Sequence, residues 1–233
     1  MFKNILDFCF PNYTCLICGG ELNAPKNPYF CDQCAGELVV NTEPLSLRGS
    51  KEKQYFNRAH AAFIYGGEAA SLVMRLKYNS ETDIAEALSP YMVAVAIHNK
   101  LATDKQKPDF IMPVPLSVKR LRKRGYNQAL VLARELCVHL KTAGIEIPVA
   151  EDILTRTKAT EVQKHMTIEE RAKNIKGAFA IVSTTQTDAL KGKRILLVDD
   201  VFTSGSTANE CAKVLRAAGA ARVDVLTIAA VVL

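Results

Sequence analysis

Ile195-Leu-Leu-Val-Asp-Asp-Val-Phe-Thr-Ser-Gly-Ser-Thr-Ala208 decides how the rest of the chain is read. Residues 194–198 read Arg-Ile-Leu-Leu-Val, an apolar run behind Arg194 and the pattern of a strand buried on both faces. Two acids, Asp199 and Asp200, follow it. A short loop of Thr203, Ser204, Gly205, Ser206 and Thr207 comes next. A helix is expected from Thr207 to Ala218, closed by Gly219. Backbone N–H groups and hydroxyls converging on a helix start make a cradle for phosphate, and Gly205 lets the backbone come close. The acids repel phosphate but accept hydrogen bonds from a sugar diol. Together they describe a site for a ribose phosphate. The competing reading is a plain helix start after a strand that happens to end in acids.

Outward from this stretch the chain alternates strand and helix. Strands are expected at 59–65, 110–114 and 223–233, and helices at 68–78, 84–101 and 126–143. Continuous apolar strands alternating with helices predict an α/β fold, a parallel sheet flanked by helices. Ligands of such sheets bind beyond the carboxyl ends of the strands. Thr42, Pro44, Ser46, Gly49 and Ser50 break any period, and residues 51–54 are polar. The expected division is therefore residues 1–50 as a small module with its linker and 51–233 as the main domain. Within it, residues 58–105 would form hood and edge elements and 109–233 the core.

The first unit carries Cys15 and Cys18, then Cys31 and Cys34, two C-x2-C pairs. Such pairs in a reducing compartment read as a tetrahedral zinc site, and four thiolates leave no open position, so the metal's role is structural. A module this small needs the metal to fold. Cys137 and Cys211 fall on apolar stripes of expected helices and read as core. No apolar run approaches the ~20 residues of a membrane span, and no cleavable leader pattern is seen. The protein is expected to stay in the cytoplasm. The net charge is +6, while residues 1–57 hold five basic and six acidic residues. The positive excess therefore lies in the main domain, where it suits an anionic ligand or nucleic acid.

Residues 195–208 resemble the phosphoribosyl pyrophosphate motif of the type I phosphoribosyltransferases. The rest of the chain is similar to the ComF competence proteins. The matching pieces are the double C-x2-C, Tyr65, Leu76-Lys-Tyr78, Pro113-Val-Pro-Leu116, Arg122-Lys-Arg-Gly-Tyr-Asn-Gln128, Arg156, Gln163, Arg171, Asn174 and Gly177-Ala-Phe179. Phe202 stands where Tyr is common, and Ser204 and Ser206 where Thr and Ala are common. The resemblance implies a zinc finger joined to a phosphoribosyltransferase domain that binds phosphoribosyl pyrophosphate with Mg²⁺. It also implies a part in natural transformation, with incoming single-stranded DNA and the DNA-uptake machinery as partners. The alternative is an active transferase acting on an unidentified nucleobase or other nucleophile.

By the same resemblance, Asp199 and Asp200 hold ribose and residues 203–207 the 5′-phosphate. Val114, Pro115, Leu116 and Ser117 form the pyrophosphate loop, neutralised by Arg122 or Arg124. Residues 157–170 fit a mobile flap with Lys158, Gln163 and Lys164, and Arg171 follows it; the stretch reads equally well as a solvated loop. Lys119-Arg120-Leu121-Arg122-Lys123-Arg124 places five cations in six residues. Either Arg122 and Arg124 bind pyrophosphate and the rest is a solvated basic turn, or Lys119, Arg120 and Lys123 also hold single-stranded DNA with Tyr126 as a stacking surface.

Overall fold

The computed structural model describes residues 14–22, 28–48, 53–79, 81–103, 107–158, 168–183 and 188–232. After a short helix α1 (Asp32–Gly36) come β1 (Arg58–Ile64), α2 (Gly67–Tyr78), α3 (Asp83–His98), β2 (Phe110–Pro113), α4 (Val118–Arg124) and α5 (Gln128–Thr142). β3 (Leu154–Arg156), α6 (Ile168–Ile175), β4 (Phe179–Ile181), β5 (Arg194–Phe202), α7 (Ser206–Ala217) and β6 (Arg222–Ala230) complete the chain.

Four strands form one sheet in the order β1-β6-β5-β2, and every pairing in it is parallel. The anticipated α/β architecture is therefore present. Both edges are covered. Residues 148–150 run beside β2, where the Ile111 N–H donates to Pro148 O and the Ala150 N–H to Ile111 O. On the other edge, Asn41 and Leu45 donate to Ala62 and Ala59 of β1. Covered edges remove the exposed ladder on which sheets aggregate.

The pleat divides the core into two layers. Leu196 and Val198 pack with Leu88 and Met92 of α3 and Leu132 and Leu136 of α5. Ile195 and Leu197 pack on the opposite face with Cys211 and Leu215 of α7. Successive strand residues point to opposite faces, so this alternation continues into Asp199 and Asp200. β5 itself runs further than the apolar run suggests. It stays paired with β6 as far as Phe202↔Ala230, while pairing with β2 stops at Pro113↔Val198. The two acids thus sit within a strand, on a ledge that is unpaired on the β2 side. The helix after β2 packs on one face and the helix after β5 on the other, so the ledge lies at the switch point of the sheet.

The four-cysteine segment is joined to this core. Thr14 and Glu21 form an antiparallel bridge, and Gly19 turns the chain between them with φ +73°. Phe30 is 1% exposed and belongs to the layer of α3 and α5. The Arg75 guanidinium of α2 contacts Leu16 O and Glu81.

Candidate functional site

A cavity of about 430 Å³ opens at the ledge. Its floor is Asp199, Asp200 and Val201, with Thr203 and Thr207 at one end and Val114, Pro115 and Leu116 at the other. Lys77, Arg120, Arg124 and Arg156 put four cations around these two acids, and Tyr65, Gln128 and Val231 complete the lining.

The pleat gives the acids different neighbours. Asp200 is 5% exposed; its Oδ1 meets Lys77 Nζ at 3.1 Å and its Oδ2 accepts from Gln128 Nε2 at 2.6 Å. Asp199 lies toward α7 and β3. Its Oδ1 accepts from the Asp200 N–H at 2.8 Å. Burial, then the charge of Asp200, pushes the Asp199 carboxyl up to about 7, against the pull of the Asp200 N–H, Lys77 and Arg156. A carboxyl held this high is protonated or ionised according to which cation and ligand stand beside it.

At the α7 end of the cavity, Gly205 has φ +81° and caps α7 with no side-chain hydrogen bond to the helix. A Cβ added there would stand 2.6 Å from the Phe202 ring, so glycine is required on two counts. Phe202 is buried and packs edge-to-face on Phe56 at 5.9 Å. It packs beneath the loop and does not line the cavity. The Ser204 and Ser206 hydroxyls are buried and bond each other at 2.8 Å. Of the loop's hydroxyls, those lining the cavity are Thr203 and Thr207.

At the other end, Val114 N–H makes the last bond to β5, at Val198 O, and the chain then leaves the sheet. Ser117 caps α4, its Oγ accepting from Arg120 N, and is buried beneath the loop. The Asn127 amide ties Val114 O to the start of α5. The basic cluster is a helix, α4, stopped by Gly125 at φ +80°, and not the turn that its composition suggests. Helical spacing turns Arg120 and Arg124 to the cavity, one helical turn apart. Lys119, Arg122 and Lys123 are exposed. Arg120 is thus beside Arg124 at the cavity, where the sequence suggested Arg122. Burial, then Arg124, draws the Arg120 guanidinium below its usual range. Tyr126 is half-buried, with its hydroxyl donating to Leu76 O, and packs against the core.

Arg156 ends β3. It is 8% exposed and stacks over Phe179 at 5.3 Å. Its strand is three residues long, too short for any periodicity to reveal. β3 and β4 pair antiparallel and frame the base of the expected flap, which is pinned where the Gly177 N–H donates to Glu210 Oε1 at 2.7 Å. Lys158 lies at that base, its Nζ 3.4 Å from where a Cβ on Gly177 would stand. Gln163, Lys164 and the Arg171 side chain lie outside the described residues.

The phosphoribosyl transferase domain family matches residues 93–232. Competence protein F of Haemophilus influenzae is 29% identical over 93% of this chain and 96% of its own length. DNA utilization protein YhgH of Salmonella typhimurium is 35% identical, covering 91% and 87%. Competence protein ComFC of Bacillus subtilis is 24% identical over 90% and 74%. The chain belongs to the ComF family of phosphoribosyl transferase domain proteins. The match begins within α3, so Tyr65, Lys77 and the four cysteines lie N-terminal to the matched residues.

Those cysteines converge. The sulfurs of Cys15, Cys18, Cys31 and Cys34 all lie within 4.8 Å of one another, and Cys18 and Cys31 are 4.0 Å apart. A tetrahedron of ~2.3 Å metal–sulfur bonds has edges of roughly 3.8 Å, so the donor set fits a closed thiolate site. Among the described residues no helix is long and apolar enough to cross a membrane.

The raised Asp199 carboxyl has a consequence for stability. A carboxyl whose folded pKa lies above its ordinary value contributes stability at low pH and loses it as pH rises through about 7. The ligand-free protein should therefore melt lower at pH 8 than at pH 5.5 through this group. Asp199→Asn should flatten that dependence and melt higher at pH 8, by about 2–4 °C for each kcal/mol relieved. Thermal melts of both proteins across this pH range check it; an unchanged slope would remove Asp199 as its source.

Proposed function

We propose that this protein binds phosphoribosyl pyrophosphate with Mg²⁺ at the β5 ledge and serves DNA uptake, handling incoming single-stranded DNA in the cytoplasm. The observation that carries the reading is the pair of acids between two unlike ends. Asp199 and Asp200 suit ribose hydroxyls, the uncapped start of α7 with Thr203 and Thr207 suits a 5′-phosphate, and Arg120 and Arg124 beside residues 114–116 suit a diphosphate. Mg²⁺ would come with the diphosphate and offset its charge. The names of the relatives, competence protein and DNA utilization protein, support the biological role.

A second reading is favoured by the rest of the cavity. Tyr65 and Val231, which follow β1 and β6, line the part of the cavity where an acceptor would stand beside the ribose. In a transfer, the acceptor's lone pair would form a bond to ribose C1 as the C1–O bond breaks and pyrophosphate leaves with its electrons. The chain's part would be to hold both groups in line and exclude water. No nucleophilic side chain is needed for this step.

In the four-cysteine site we propose one structural zinc. Freshly purified protein should carry one zinc per chain, and Cys15→Ser or Cys34→Ser should lose it; metal analysis that finds none in the wild type rejects the assignment. For the ligand, Asp199→Asn combined with Asp200→Asn should lower affinity for phosphoribosyl pyrophosphate and Mg²⁺ more than a hundredfold. Two lost hydrogen bonds of ~1.5–3 kcal/mol each give that size. Calorimetry on the folded double variant tests binding, and pyrophosphate release with candidate bases or single-stranded DNA tests turnover. Unchanged affinity would end the ribose assignment.

The DNA reading now rests on the exposed face of α4. Replacing Lys119, Arg122 and Lys123 by Ala should weaken binding to single-stranded DNA at low salt. The log–log salt slope should flatten by about 2, at roughly 0.7 per phosphate contact. Affinity for phosphoribosyl pyrophosphate should hold, since Arg120 and Arg124 remain. An unaltered slope would place any DNA surface elsewhere.

A further inference from the structure

We propose that Lys77, carried by a helix outside the matched domain, is a ligand-binding residue that takes the diphosphate arm of the ligand. The proposal rests on the reading of the cavity as a phosphoribosyl pyrophosphate site and assigns one of its contacts to a residue that neither the acid motif nor the pyrophosphate loop contains.

Lys77 lies in the last turn of α2. Its side chain is 17% exposed and lines the cavity. A lysine is this sheltered only when its ammonium is engaged, and here Asp200 Oδ1 at 3.1 Å engages it. That contact uses one of three N–H donors. Asp200 is steadied from its other side by Gln128 Nε2. The Gln128 Oε1 is left buried and without a partner among the described residues. Turning the amide over would satisfy neither group, because Oε1 would then face the carboxylate. The network therefore holds Lys77 in one place, with its remaining donors toward the cavity.

Which phosphate those donors meet follows from the layers. The start of α7, where a 5′-phosphate fits, packs on the face of Ile195 and Leu197. Lys77 arrives from the opposite face, that of α2, α3 and α5. Its neighbour Tyr78 lies under the Arg124 guanidinium at 5.0 Å, and Arg124 stands beside residues 114–116 in the lining. Lys77, Arg120 and Arg124 thus form one group of cations at the diphosphate end. Among the described residues no acidic side chain lies in ion-pair range of Arg120 or Arg124.

Two fragments separate this role from a structural one. Full-length protein, Lys77→Met and Lys77→Arg are titrated calorimetrically with inorganic pyrophosphate plus Mg²⁺ and, separately, with ribose 5-phosphate. Lys77→Met should lose about tenfold or more for pyrophosphate and change less than about twofold for ribose 5-phosphate, which also reports that the variant is folded. Lys77→Arg, which keeps the charge, should recover most of the pyrophosphate affinity. Equal loss for both fragments would mean that Lys77 acts only by steadying Asp200 and would overturn the proposal. Loss for neither would overturn it as well. Wild-type protein that binds neither fragment nor phosphoribosyl pyrophosphate would instead reject the reading of the cavity on which the proposal rests.

Discussion

Among the described residues, β5 beyond Val198 has a hydrogen-bonded neighbour strand on one side only. β6 follows it to Phe202, whereas β2 turns away after Pro113. Backbone groups in a parallel sheet are normally bonded on both sides and covered on both faces. Here one side is left open over the residues that carry the acids. The opening sits where the helices after β2 and β5 pass to opposite faces, the switch point of the sheet. The cavity, the divergent environments of the acids and the approach of α4 all follow from this unequal pairing.

The pleat then separates two residues that look equivalent. Asp200 points to the layer of α2 and α5 and is held by Lys77 and Gln128. Asp199 points to the layer of α7 and β3, where Arg156 is near and Cys211 lies buried. A neighbouring carboxylate makes ionisation of a buried carboxyl costlier. Burial, then the charge of Asp200, lifts the Asp199 carboxyl to about 7, while the Lys77 ammonium meets Asp200 directly. Adjacent positions in a strand put two acids at one cavity while giving each a separate set of supporting groups.

What was legible in the sequence is what repeats or what is local. Residues 194–198, 223–230 and the helix after residue 205 announce themselves by apolar runs and by one loop, and the four cysteines by spacing alone. Three things were not legible. The end of β5 lies four residues past the apolar run, because Asp199 and Asp200 break the hydrophobic signal while the ladder to β6 continues. Which arginine of α4 faces the cavity depends on the segment being helical, and seven residues with five cations show no apolar period. Arg156, Gln128, Lys77 and Tyr65 come to the site from four separate elements, and only the tertiary fold brings them together. Each belongs to a motif noted by resemblance, yet no local pattern says what any of them touches.

The last turn of α2 links the four-cysteine segment to the cavity. Arg75 contacts the Leu16 carbonyl, inside the first C-x2-C pair. Leu76 accepts from the Tyr126 hydroxyl between α4 and α5, and Lys77 meets Asp200. Three consecutive residues therefore touch the four-cysteine segment, the approach to the cationic helix and the acid on the ledge. α2 also packs Leu72, Val73 and Leu76 into the layer that holds Phe30 of the cysteine segment. A module too small to bury its own core completes its packing on the main domain. In exchange it braces the outer side of the helix that delivers an ammonium to the cavity. The packing makes the knuckle part of the wall of the site, at one remove.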